Sequence, residues 1–113
     1  MPDSQISEGV EPVSLIEKAY TATNYFAMKL RIDINNGRRG EQLRPTFEEL
    51  RYGFMGLYDL VGHRPDFDAA LKKNIEYWAK IPTKKNKTVR FYLQSLQLYE
   101  KFKTHLVFLQ EIQ

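Results

Sequence analysis

The side chains best suited to chemistry in this chain are basic, and they fall in two groups. Arg38, Arg39 and Arg44 occupy one polar stretch, and Lys80, Lys84, Lys85, Lys87 and Arg90 occupy another. No acidic residue lies between Tyr77 and Tyr99. Clustered Lys and Arg attract polyanions, because neutralising phosphates releases their condensed counterions. Arginine adds a planar fork that can grip a phosphate through two hydrogen bonds. Cations carried on loops position a strand without reading its bases. Phe91 and Tyr92, directly after Arg90, offer a candidate surface for base stacking. The pattern therefore predicts contact with nucleic-acid phosphates at low sequence specificity, or with an acidic protein.

Other chemistries find little to work with. The chain has no cysteine, which excludes disulfides and thiolate metal sites. Its two histidines, His63 and His105, fall on different segments without coordinating carboxylates beside them, so a metal site is not expected. Glu48 and Glu49 are adjacent and face different ways on a helix, and Asp66 and Asp68 suit the start of one. No Ser-His-Asp set can be assembled. The GRRG run at 37–40 lacks the spacing and the Lys-Ser/Thr of a phosphate loop. The expectation is a non-enzymatic protein with no cofactor and no metal.

The elements that must position these groups read as helices. Ile16, Tyr20, Thr23, Ala27, Leu30 and Ile34 recur at helical spacing between about Val13 and Asn35, and Asn35-Asn36-Gly37 is a strong stop. A loop over 37–45 follows. A second helix is predicted from a Thr46 N-cap with Glu49 three residues on, ending at Gly62. Gly53 and Gly56 sit inside it, where close approach of a neighbouring helix would justify them. A third helix is predicted from an Asp66 N-cap to about Ile81, where Pro82 stops it. After the basic loop at 82–88, a long fourth helix runs from Val89, capped by Thr88, to the C-terminus. Four helices with short loops predict an all-α, up-and-down four-helix bundle. That arrangement would place both basic loops at one end, together with the N-termini of the second and fourth helices.

The fourth helix is polar along Arg90, Gln94, Gln97, Lys101 and Thr104, but its end is apolar in every direction. Leu106, Val107, Phe108, Leu109 and Ile112 are therefore candidates for a homo-oligomer interface. The alternative function is accordingly a protein-interaction module that self-associates through its C-terminal helix.

The composition bounds these readings. At 113 residues the chain is one domain, with residues 1–11 a flexible acidic tail and 12–113 a single helical domain. The net charge of +3 understates the basicity of the folded part. The first 17 residues hold Asp3, Glu8, Glu11 and Glu17 and no Lys or Arg, so all 17 basic residues belong to the remainder. The polar, acidic start does not resemble a signal peptide, and no apolar run is long enough to span a bilayer. A cytoplasmic protein acting as an accessory ribonucleoprotein subunit or regulator is the expectation.

Overall fold

The computed structural model describes residues 12–83 and 87–112, with side chains at 15–83 and 87–106. The described residues form four α-helices and no strand: α1 (Pro12–Asn35), α2 (Arg44–Val61), α3 (Ala69–Ala79) and α4 (Val89–Ile112). A 3-10 turn, Gly40–Gln42, leads into α2. The chain is all-helical, as its apolar periodicity predicts.

Local chemistry sets the ends of these helices. α1 stops at Asn35, and Gly37 takes a φ of +86°, a left-handed conformation that glycine adopts without steric cost. The Arg38 N–H turns back to the Asp33 carbonyl at 3.0 Å. α2 begins at Arg44, two residues before the predicted Thr46 cap. The 3-10 turn already supplies a helical lead-in, and Pro45 falls in the first turn, where no N–H is required. Thr46 is buried and caps nothing. α3 begins after Asp68, not Asp66. The Asp68 carboxylate accepts the N–H groups of Ala70 at 2.9 Å and Leu71 at 3.2 Å. It also ends at Ala79, short of Ile81. Thr88 caps α4 as predicted, its Oγ1 accepting the Phe91 N–H at 3.2 Å.

α1 packs mainly along α2, and α4 touches the other three helices. Gly53 of α2 explains part of this intimacy. A Cβ there would collide with the Thr23 hydroxyl on α1. The core is largely aromatic. Phe54 packs against Trp78 at 4.9 Å, Phe102 at 4.8 Å and Tyr99 at 5.3 Å between ring centroids. Polar tips within this cluster are satisfied. Trp78 Nε1 donates to Ser95 Oγ at 2.8 Å, and the Tyr99 hydroxyl donates to Asn24 Oδ1 at 2.9 Å. The Arg51 guanidinium lies 4.9 Å from the Trp78 ring and donates to the Trp78 and Ala79 carbonyls, both at 2.7 Å. Both carbonyls belong to the last turn of α3, and that of Trp78 also accepts the Ile81 N–H at 3.1 Å.

Leu106 corrects one sequence expectation. It is fully buried inside the chain, so it belongs to the core and not to an interface between copies. The side chains of Val107, Phe108, Leu109 and Ile112 lie outside the described ones. No helix among the described residues is long and apolar enough to cross a membrane.

Candidate functional site

The two basic stretches meet. Arg38 and Arg39, after α1, line the same groove as Lys87 and Arg90 at the start of α4, and its volume is about 620 Å³. Ile34 and Val89 contribute apolar wall, and Gly37 and Gly40 contribute backbone. Gly40, like Gly37, has positive φ, at +55°. The two glycines let the chain turn sharply on both sides of the arginine pair, which brings Arg38 and Arg39 opposite α4.

The charges in this groove are weakly neutralised. Arg39 and Arg90 are exposed and form no ion pair among the described residues. Arg38 faces Asp33 only at 3.9 Å, and Asp33 is shared with Lys29 at 3.4 Å. The Lys87 ammonium sits over the Phe91 ring at 5.6 Å. The start of α4, with the positive end of its helix dipole, lines this groove, although Thr88 already takes the Phe91 N–H. An anion in the groove would therefore meet side-chain cations and backbone donors together.

Arg44 has a different role from Arg38 and Arg39. Its Nη2 bonds Glu41 at 2.8 Å, and its Nη1 donates to the Thr83 carbonyl at 3.4 Å. The Thr83 hydroxyl in turn donates to Glu48. These contacts fasten the segment after α3 to the start of α2, so Arg44 holds the loops in place. Lys80 is exposed at the C-cap of α3 and does not line the groove. Lys84 and Lys85 lie outside the described residues.

The aromatic pair after Arg90 is packed largely into the core, and Tyr92 offers no surface for stacking. Tyr92 is fully buried against Phe47 at 5.1 Å, and Phe91 is half-buried against the same ring at 5.4 Å. The Tyr92 hydroxyl is buried near the Lys87 backbone amide but makes no well-aligned hydrogen bond among the described residues. Burial pushes its pKa up. The backbone amide of Lys87 and the charge of Arg44 act in the opposite direction.

His105 is held within the fold. It stacks on Phe67 at 4.2 Å, and its Nε2 accepts the Asp68 N–H at 3.4 Å. His63 is exposed just after α2. No group of three or more His, Asp or Glu side chains able to hold a metal occurs among the described residues.

Sequence reasoning missed two contributors to the site. The positive φ of Gly40 had a signal in the spacing of the two glycines around Arg38 and Arg39. The tie from Arg44 to Thr83 had none, because it joins residues 39 apart. Comparison with protein-family models, with curated proteins and with solved structures finds no match to this chain.

Proposed function

We propose that this protein binds nucleic-acid phosphates in the groove formed by Arg38, Arg39, Lys87 and Arg90, without catalysing a reaction. One observation carries this reading: two basic loops, remote in sequence, line a single groove at the N-terminus of α4. Arg38, Arg39 and Arg90 are exposed, Lys87 is partly so, and few acids match them. The helices are read as an up-and-down four-helix bundle with a long C-terminal helix, which puts both loops at one end. Lys84 and Lys85 add charge to the same loop in sequence. The full burial of Tyr92 and the packing of Phe91 on Phe47 argue against base stacking at this site, so affinity rests on the backbone and sequence preference is weak. A role as an accessory ribonucleoprotein subunit or regulator in the cytoplasm follows from that mode of contact.

The test is fluorescence anisotropy with a mixed pool of labelled DNA and RNA oligonucleotides, at low and at moderate salt. Binding that weakens steeply as salt rises supports the proposal. Absence of binding to every oligonucleotide at low salt rules it out. An acidic protein would then be the remaining partner for the groove.

A further inference from the structure

A second surface lies away from the basic groove, on the α1–α2 side. A groove of about 520 Å³ runs between these helices, its walls including Ala22, Phe26, Tyr52 and Gly56. Glu49 and Asp59 stand on its rim and form no ion pair among the described residues. Gly56 is the informative floor residue. Glycine in a helix interior is destabilising relative to alanine. Gly53 is justified by its contact with Thr23, but a Cβ on Gly56 would meet nothing within 4 Å. Packing among the described residues gives no reason for a glycine there, whereas an occupant approaching the backbone would.

The adjoining surface has the complementary shape and charge. Tyr25, Met28 and Ile32 recur at helical spacing on the outer side of α1 and are 60%, 61% and 53% exposed. Tyr52, across the groove, is 83% exposed. The Tyr25 ring meets Phe26 edge-on at 5.2 Å, so the ridge is continuous with the groove wall. Lys18 and Lys29 flank the ridge, Lys29 reaching Asp33 at 3.4 Å while remaining exposed. An apolar ridge with lysines thus adjoins an apolar groove with carboxylates.

A two-fold axis satisfies both at once, because an isologous interface brings the same patch of each copy together. We propose that the α1–α2 face is the contact surface of a symmetric dimer. The Tyr25–Met28 ridge of one copy seats over Gly56 of the other, and lysines of one copy face Glu49 and Asp59 of the other. The proposal stands independently of the nucleic-acid reading.

Sedimentation velocity over a wide concentration range, without nucleic acid, tests it. The native chain is expected to dimerise with rising concentration. Gly56→Leu is expected to remain monomeric, with its helical circular dichroism retained because the added side chain projects into open space. Glu49→Lys combined with Asp59→Lys is expected to weaken the dimer about tenfold by placing like charges together. A native chain that is monomeric at every concentration overturns the proposal. A dimer that survives Gly56→Leu also overturns it, since the copies would then meet elsewhere.

Discussion

The Nη1 of Arg44 donates to the carbonyl of Thr83 at 3.4 Å, joining the start of α2 to the segment that follows α3. The same guanidinium holds Glu41 through Nη2 at 2.8 Å. One arginine thereby fixes the relative placement of two loops, the first of which also carries the exposed Arg38 and Arg39. Three of the basic residues singled out by charge alone divide by role: Arg44 builds the site, and Arg39 and Arg90 face whatever enters it.

That division is testable by stability. Arg44→Ala should lower the unfolding free energy by about 1 kcal/mol, because its Glu41 partner is exposed and its bond to Thr83 is long. Arg39→Ala and Arg90→Ala should stay within about 0.5 kcal/mol of the native chain, as exposed substitutions do. Urea denaturation midpoints measure all three. Equal losses at the three positions would show that Arg44 has no special structural role.

The salt dependence of binding provides a second check. Replacing Arg38, Arg39 and Arg90 together by alanine removes three candidate phosphate contacts. The slope of log affinity against log salt should then fall by about 2 for a single-stranded oligonucleotide, at about 0.7 per contact. Anisotropy titrations at several salt concentrations give this number. An unchanged slope would place the phosphate contacts on other residues.

The two glycines inside α2 should respond in opposite directions. Gly56→Ala gains helix propensity at a position where a Cβ meets nothing, so the monomer should be more stable by about 1 kcal/mol. Gly53→Ala drives a methyl group into the Thr23 hydroxyl, which already donates to the Ala19 carbonyl at 2.8 Å. That overpacking should cost about 1–3 kcal/mol. Thermal unfolding of both variants at low protein concentration separates these effects from association.

Much of this fold was legible in local chemistry. Asn35-Asn36-Gly37 ends α1 because glycine enters the left-handed region freely, and Thr88 caps α4 because its hydroxyl reaches an orphan N–H. These signals need no knowledge of distant residues. The start of α3 was less decidable, since Asp66 and Asp68 are equally able caps and only the path of the chain selects Asp68. Tyr92 shows where local reading stops. It follows two residues after Arg90, but helical geometry turns it well away and into contact with Phe47, from a helix remote in sequence. The meeting of Arg38 and Arg39 with Lys87 and Arg90 was anticipated from loop lengths and helix count. The commitment of Arg44 to Thr83 depends on tertiary placement, which no local pattern encodes.

Alkaline pH should unfold the protein through its buried tyrosines. Burial raises the Tyr58 hydroxyl to about 12, and the hydrogen bond and charge of Glu76 add to that effect. Burial also raises Tyr99 and Tyr92. In the unfolded chain a tyrosine loses its proton near pH 10. Between about pH 10 and 12 the unfolded state therefore releases protons that the folded state retains, and stability falls as pH rises. Below pH 10 both states keep these protons, and the tyrosines contribute no pH dependence. Tyr58→Phe cannot ionise, so it should show a shallower loss of stability across this window, although it gives up the 2.8 Å hydrogen bond to Glu76. Urea midpoints at successive pH values, paired with tyrosinate absorbance, measure the slope. An identical slope in the native chain and in Tyr58→Phe would exclude Tyr58 as a contributor.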